Sequence, residues 1–280
     1  METLAEYARG EADPDLQMKA VEYLGIFGNG SNTALLEDVY RSSSDLDVRR
    51  KILESFMIAN DETRLLSVAK TEENPKLRMK AIEQLGLLDA SDALWNLYQT
   101  ERDEDVKRKI IESFMLADET QRLLDIARGN DVVGIRRKAI EQLGLLDESD
   151  ALWQIYQDES DVDLKRKILE GIWLSGNIER LIDVARTDPN PELRRSAIEK
   201  IGLSNGERAR QGLTTIYQTD KDPDVRRKCL EAMFLQDNVD GLIAIARTEK
   251  DPDLRRSAVE KLSIMDSKAA TEFLMELLED

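Results

Sequence analysis

Apolar residues recur along this chain with a period that barely changes. An aliphatic residue stands before a largely basic cluster nine times, at steps of 29 residues, with steps of 32 at the first and seventh intervals. These nine residues serve as anchors from which positions are counted: Leu16, Val48, Leu77, Val106, Ile135, Leu164, Leu193, Val225 and Leu254. A fixed period of this size is typical of a solenoid, in which each unit buries its apolar face against its neighbours.

Each unit carries two amphipathic segments. Upstream of the anchor, Leu at −12 is followed by apolar residues at −9 and −8, and downstream the anchor is followed by apolar residues at +4, +5 and +8. Both spacings follow one face of an α-helix. The turn Asp222-Pro223-Asp224 illustrates the connection: an N-cap, a proline in the first helical turn and an acid facing the helix dipole. No alternating strand pattern occurs, so the fold class is all-α.

Odd and even units differ at two positions. Odd units carry Ala at −8 and, except in the ninth, Gly at +9, whereas even units carry Tyr at −8 and a large Met, Trp or Phe at +9. This alternation predicts large residues facing small ones across each interface, and a structural repeat of two units. The two longer steps place three-residue insertions near residues 28–32 and 204–210.

The end of the chain predicts a cap. Residues 267–280 read as one further helix, whose Phe273, Leu274, Leu277 and Leu278 would cover the last apolar face. We therefore expect an α–α superhelix of nine two-helix units plus a C-terminal capping helix, forming one continuous domain over residues 1–280.

Composition narrows the functional classes. The net charge is −17, which argues against nucleic-acid and anionic-membrane partners. No apolar run of about 18 residues predicts a membrane span. Histidine is absent, which argues against most catalytic triads and metal sites. The single Cys229 cannot form an intramolecular disulfide, and we expect a buried thiol there. We expect a monomer with no cofactor and no metal, cytoplasmic by default because no targeting segment is evident.

The second segment of each unit resembles the short, bacterial-looking HEAT repeats of the bilin-lyase type. Residues 193–202 (LRRSAIEKIG) and 253–262 (DLRRSAVEKL) carry the resemblance, which extends over essentially the whole chain. It implies a right-handed superhelix with the first helices on the convex side and the second helices on the concave side. Positions +2, +3, +6 and +9 would then face the concave side.

These positions have a regular charge. Arg stands at +2 in seven units, Lys at +3 in seven and Glu at +6 in all nine, a formal sum of +5. The rows could grip an extended peptide or acidic segment, or form an internal Arg-to-Glu ladder between residues four apart. The large +9 residues could anchor a partner or interdigitate with the glycines. The candidate partner-binding residues are Arg108, Glu112, Met115, Arg137, Glu141, Arg166, Glu170, Trp173, Arg195, Glu199, Arg227 and Phe234.

The leading hypothesis is a non-enzymatic scaffold that binds a partner protein or an extended peptide on its concave face. Three alternatives stay open: a bilin-lyase-like enzyme that handles a tetrapyrrole, a HEAT-like DNA glycosylase, and an engineered repeat protein. The acidic charge and the Glu row conflict with the glycosylase, and the irregular insertions look natural. Residues 131–134 break the turn consensus and predict a local bend.

Overall fold

The computed structural model describes residues 2–10, 13–27 and 32–279, with the side chains of residues 2 and 14 excepted. Nineteen α-helices and no strands occur in these ranges, which confirms the all-α class. The chain forms two compact units, Met1–Gln142 and Leu143–Asp280, whose boundary lies within one helix. One continuous domain over residues 1–280 stays a prediction. The first insertion, expected near residues 28–32, lies outside the described residues except for residue 32.

The helices alternate between the first and second helix of each repeat. In the N-terminal unit they are α1 Glu2–Arg9, α2 Pro14–Phe27, α3 Thr33–Ser42, α4 Leu46–Ile58, α5 Glu62–Thr71, α6 Pro75–Leu87, α7 Ser91–Thr100, α8 Glu104–Leu116, α9 Thr120–Arg128 and most of α10 Val133–Leu145. In the C-terminal unit they are α11 Ser149–Asp158, α12 Val162–Leu174, α13 Ile178–Thr187, α14 Pro191–Gly202, α15 Glu207–Thr219, α16 Pro223–Leu235, α17 Val239–Thr248, α18 Pro252–Ser263 and α19 Lys268–Glu279.

The second helices begin at the predicted caps. The Asp222 carboxylate accepts hydrogen bonds from the backbone amides of Asp224 at 2.9 Å and Val225 at 3.4 Å, and Pro223 occupies the first turn. Asp251 caps α18 in the same way. Each cap satisfies amides that have no partner within the helix, which fixes the residue at which the helix starts.

Left-handed residues end many of the second helices. Asp118 has φ 55°, and the amide of Glu119 donates to the Phe114 carbonyl at 2.9 Å, which is the Schellman arrangement. The same backbone recurs two residues after the last helical residue of other units, at Asn60, Asp89, Asp147, Gly176 and Asp237. Asp and Asn tolerate this region better than other non-glycine residues, so the chain reverses here at low cost.

Second helices approach each other most closely at the +9 glycines. A Cβ added to Gly86 would lie 2.8 Å from the Ser113 Cβ, and one added to Gly202 would lie 2.7 Å from the Ala232 Cβ. The expectation that large residues face small ones is therefore wrong here: glycine at +9 of an odd unit meets a small residue at +7 of the next unit. The close approach also lets the Ser113 hydroxyl donate to the Ile82 carbonyl at 3.2 Å. It confirms pairing of units as the structural repeat.

The ends of the repeat array differ from its middle. The Leu16 anchor is 46% exposed, whereas the other eight anchors are buried. At the other end Phe273 is 3% exposed, so α19 does pack as a cap. Leu277 and Leu278 are exposed, at 43% and 88%, and the expectation that they cover the last apolar face is wrong. Leu277 lies on the same face of α19 as Phe273 but one turn nearer the end of the helix, whereas Leu278 lies on a different side.

The second insertion lengthens a first helix. Gly206, with φ 114°, stands at the N-cap of α15, which has 13 residues where α13 has ten. The three added residues therefore form an extra turn at the start of α15, and the second helix that follows keeps its usual cap.

Candidate partner-binding face of the second helices

The second helices of each compact unit expose one side made of positions +2, +6 and +10, which lie four residues apart in one helical row. In the N-terminal unit this side holds Arg108 and Glu112 on α8, with Arg137 and Glu141 on α10. In the C-terminal unit it holds Arg166 and Glu170 on α12, Arg195 and Glu199 on α14, and Arg227 on α16. These side chains are partly to well exposed, as Arg166 at 45% and Glu199 at 51% illustrate.

The Glu row is already paired, but with lysine. Lys228 lies 3.1 Å from Glu231 in its own helix and 3.5 Å from Glu199 in the preceding second helix. Lys109 bridges Glu112 and Glu83 in the same way, at 3.5 and 3.1 Å. The expected ladder therefore exists, but it runs from Lys at +3 to Glu at +6 and not from Arg at +2. A lysine three residues before a glutamate reaches it within the helix and reaches the neighbouring helix as well.

The Arg row pairs in the opposite direction, with acids in the first turns of second helices. Arg166 lies 3.2 Å from Asp163 and 2.8 Å from Glu192 in the next repeat. Arg108 pairs with Glu104 at 2.8 Å, and Arg227 pairs with Asp224 at 2.7 Å. These pairs leave less positive charge for an acidic ligand than the sequence count implied.

Three of the row's arginines differ. No ion pair joins Arg137, Arg195 or Arg256 to another residue in the ranges that the structure describes. For Arg137 the reason lies in its own first turn, where Gly134 replaces the acid present in most units. For Arg195 the acid of its own first turn, Glu192, is taken by Arg166. Together with the exposed Arg256, these guanidinium groups are the arginines of this row most available to a partner.

The large +9 residues Met115, Trp173 and Phe234 are half-buried. The Trp173 ring lies beneath the ammonium group of Lys200, which is 5.5 Å from the ring centroid. Because the +9 glycines meet small +7 residues instead, the expected interdigitation of large residues with these glycines is wrong. Each large residue is therefore only partly accessible to a partner.

The sequence reasoning missed a row of exposed aliphatic side chains at +10. Each is between 45% and 71% exposed, at the C-terminal end of its second helix or just beyond it. The row consists of Ile26, Ile58, Leu87, Leu116, Leu145, Leu174, Leu203, Leu235 and Ile264. The signal was present, because +10 is Leu or Ile in all nine units and lies outside the core positions 0, +4, +5 and +8. We call these side chains the aliphatic row.

The sequence reasoning also missed a contact between repeats that involves position +1. The hydroxyl of Tyr98, at −8 of an even unit, donates to Asp131 at 2.6 Å. Lys107, at +1, lies 3.0 Å from that carboxylate and 4.8 Å from the Tyr98 ring centroid. Tyr40, Glu72 and Arg49 repeat the arrangement, with 2.7 Å from the hydroxyl to the acid. We call each set a Tyr–acid–base cluster; each joins one repeat to the next.

These clusters shift the protonation of their members. Burial and the bond to Asp131 raise the pKa of Tyr98. Burial alone would raise the pKa of Asp131, but the bonds from Tyr98 and Lys107 outweigh it and lower that pKa. The hydroxyl therefore stays a donor and the carboxylate stays an acceptor in this contact between repeats.

Residues 178–234 match the family model of HEAT repeats. The matched segment runs from the first residue of α13 to the last but one of α16. Its helix pairs, caps and exposed rows recur in the described repeats before and after it. The chain is a HEAT-like repeat protein. Comparison with the curated proteins gave no match.

Several solved structures resemble this HEAT-like protein at low identity. The complex of CpcE and CpcF of phycocyanin lyase from Nostoc sp. PCC7120 is 14% identical over 94% of this chain and 93% of that chain, with a TM-score of 0.30. Kap95p, whose binding induces the switch loops of RanGDP to adopt the GTP-bound conformation, is 12% identical over 97% of this chain and 41% of that chain, with a TM-score of 0.32. A structure from work on the interaction between cadherin and β-catenin is 12% identical over 99% of this chain and 63% of that chain, with a TM-score of 0.29. These scores are too low to guide a functional assignment.

A cleft in the N-terminal unit of the HEAT-like protein offers little chemistry. It has a volume of about 460 Å³ and is lined by Tyr40, Arg49, Arg64 and Glu72, among others. Its charged groups are paired with one another: Arg49 lies 2.5 Å from Glu72, and Arg64 lies 2.7 Å from Glu37. The lining charges thus neutralise each other.

Cys229 is fully buried, which confirms the expected buried thiol, and burial raises the pKa of that thiol. None of the helices in the described part of the chain has the length and apolarity that a membrane span requires.

Proposed function

We propose that this HEAT-like protein is a non-enzymatic scaffold that binds a partner protein on the exposed side of its second helices. The observation that carries the proposal is the aliphatic row: one apolar residue per repeat, exposed at the same position each time. Isolated exposed apolar residues are common, but apolar residues exposed in register on neighbouring helices indicate an interaction surface.

Charge supports the same surface. Arg195 and Arg137 are free of ion pairs among the described residues, while the Glu row is held in place by lysines. Fixed charges around apolar contacts select a partner and orient it, whereas the apolar contacts supply most of the affinity. The candidate residues Arg166, Trp173 and Phe234 contribute at the edges of this surface.

Site-specific photocrosslinking in a lysate of the source cell tests the proposal. A photoreactive residue at Glu199 or Glu231, on second helices, is expected to give a discrete protein adduct identifiable by mass spectrometry. The matched control places the same residue at Asp183, which is exposed on first helix α13 of the same repeat as Glu199. Adducts from Asp183 and none from Glu199 or Glu231 would move the binding surface to the first helices.

An affinity measurement with the crosslinked partner refines the result. Arg195→Ala is expected to weaken binding about 10-fold or more, because a charge-assisted contact contributes about 1.5–3 kcal/mol. Arg186→Ala, on the exposed side of first helix α13, is the matched control and should leave the affinity unchanged. Equal affinities of all three proteins would show that the Arg row takes no part.

A further inference from the structure

We infer that the aliphatic row of the C-terminal unit binds a basic amphipathic α-helix of a partner protein. The inference rests on the proposed function and specifies the chemistry of the partner. Its members are Leu145, Leu174, Leu203, Leu235 and Ile264.

The row presents one exposed apolar side chain on each of several neighbouring helices. Helices α12, α14, α16 and α18 contact one another in order, and each carries one member at or just beyond its C-terminal end. Leu174 and Leu235 are 52% and 57% exposed, so each has a large apolar area still to bury. Burial of apolar area is the main source of affinity in such contacts.

Carboxylates border the row on both sides. Position +6, one turn before each member, carries Glu, and position +12, two residues after it, carries Asp in three repeats. These acids are Glu141, Glu170, Glu199, Glu231, Glu260, Asp147, Asp237 and Asp266.

Fewer cations share this border. The lysines on the second helices that carry the row are Lys138, Lys165, Lys167, Lys200, Lys228 and Lys261. Of these, Lys165 lies over the Tyr156 ring of a first helix, 4.6 Å from its centroid. Lys167 and Lys228 are already paired with Glu170 and Glu231, and Lys200 lies over the Trp173 ring. Arg210 also lies at this border, where it donates to the Gln236 carbonyl next to Leu235 at 3.2 Å. Apart from Lys165, five lysines and Arg210 stand against eight carboxylates, which leaves an excess of two negative charges. The Arg row lies eight residues earlier in each helix, about 12 Å away along the axis.

The spacing of the row favours a helical ligand over an extended one. Packed helices lie about 8–10 Å apart, so successive members are separated by about that distance. An α-helix advances about 10.5 Å in seven residues, so leucines at every seventh position meet successive members. An extended strand presents residues on one face about every 6.6 Å, which does not match.

A second copy of the chain is a poor occupant. Each copy carries a net charge of −17, and the same acidic border would meet itself across the interface. A cationic helix instead brings opposite charges together on both sides of the apolar contact. Its occupancy should fall as salt is raised, since the bordering charges are exposed.

Fluorescence anisotropy with the full chain and three synthetic helical probes tests the inference. The first probe has leucines at heptad spacing with flanking lysines, the second has the same leucines with flanking glutamates, and the third has the lysines with serine in place of leucine. We expect the first probe to bind and the other two to bind at least about 10-fold more weakly. Equal binding of the first two probes, or of the first and third, would overturn the inference.

Protein variants provide the second arm. The exposed substitutions Leu174→Ser, Leu203→Ser and Leu235→Ser, combined, are expected to weaken binding of the first probe about 30-fold or more. Leu278→Ser, on the exposed side of α19, is the matched control and should bind as the parent does. Unchanged binding by the triple variant would overturn the inference, and so would a dimer of the parent that the triple variant abolishes in sedimentation.

The two proposals fail differently. If Glu199 crosslinks a natural partner that the triple leucine variant still captures with parental affinity, the scaffold function stands and the aliphatic row is not the contact. If no second-helix position gives an adduct, the proposed function fails as well.

Discussion

The hydroxyl of Tyr98 donates a 2.6 Å hydrogen bond to Asp131, which lies in the loop of the following repeat. In other repeats the acceptor stands five residues before the anchor, as Asp188 does for Tyr156, whereas Asp131 stands four residues before Ile135. The carboxylate thus reaches the same tyrosine from a shifted position. Helix α10 still begins at Val133, two residues before its anchor as in other repeats. The expected local bend is present in the loop, over residues 129–131, and it leaves the start of α10 unchanged.

Removal of that hydroxyl should destabilise the protein. Tyr98→Phe leaves the half-buried Asp131 with Lys107 as its remaining side-chain partner. We expect a loss of about 1–3 kcal/mol in the free energy of unfolding, which is typical when a charged acceptor loses a buried donor. Urea denaturation followed by circular dichroism measures it. Tyr7→Phe is the control, because Tyr7 is 52% exposed, and it should leave the midpoint unchanged.

The Tyr–acid–base clusters predict instability at both pH extremes. The pKa values of Asp131, Glu72 and Glu249 are lowered in the folded state. Their contribution is therefore full above the ordinary carboxyl pKa of about 4 and is lost as pH falls through the lowered values. Thermal midpoints should drop between about pH 5 and pH 3, and Asp131→Asn should flatten this dependence. An identical acid profile for Asp131→Asn would contradict the prediction.

The alkaline side has the opposite sign. Burial and a bond to Asp188 raise the pKa of Tyr156, and burial and a bond to Glu249 raise that of Tyr217. A raised folded pKa contributes stability below the ordinary tyrosine value of about 10, and this contribution is lost as pH rises above it. Thermal midpoints should fall above about pH 10, and Tyr156→Phe should fall less steeply than the parent. Parallel alkaline profiles would argue against the clusters.

The features that recur with the repeat period were predicted correctly from the sequence. Anchors, caps and the two helices of each repeat follow from local spacing, and Asp222 and Asp251 stand at the predicted N-caps. Contacts between repeats were predicted less well. Lys228 and Arg226 stand two residues apart, yet Lys228 pairs with Glu199 behind it while Arg226 pairs with Glu249 ahead of it. Which neighbour a long side chain reaches depends on the packing of adjacent helices, which helical spacing alone does not specify.

The properties of the candidate site were likewise predictable only where they depend on a residue's position within its own helix. Exposure of Arg195 and Glu199 follows from their places on the helix, whereas the absence of an ion pair at Arg195 among the described residues depends on Arg166 taking Glu192. The aliphatic row was readable as a repeated Leu or Ile at +10, but a Leu at the end of an amphipathic helix is easily assigned to the core. The exposure of Leu174 and Leu203 decides that question.

Two glycines of α10 should respond oppositely to alanine. A Cβ at Gly144 would lie 2.8 Å from the Gly171 Cα, a backbone atom that cannot rotate away. Gly144→Ala should cost about 1–3 kcal/mol through forced separation of α10 and α12. At Gly134 an added Cβ would meet the Arg108 guanidinium at 3.1 Å, the end of a flexible side chain. Gly134→Ala should stabilise the protein by up to about 1 kcal/mol through helix propensity. Calorimetric midpoints that shift in the same direction for both variants would contradict this account.

The capping role of α19 is the last prediction. Phe273 is buried against α17, and the Arg247 guanidinium lies 5.2 Å from its ring centroid while pairing with Glu276 at 2.6 Å. In a repeat array stability depends on nearest-neighbour interfaces, so Phe273→Ala should remove most of what α19 contributes. We expect a loss of about 3 kcal/mol, at the low end for a buried phenylalanine because the interface lies at the end of the array. Leu278→Ser removes a comparable apolar volume from a side chain that is 88% exposed and should leave the melting temperature unchanged.

Deletion of residues 267–280 should match Phe273→Ala in stability and also promote association, since it exposes the face that Phe273 covers. If the truncated chain has the same melting temperature and the same sedimentation coefficient as the parent, α19 is not a cap.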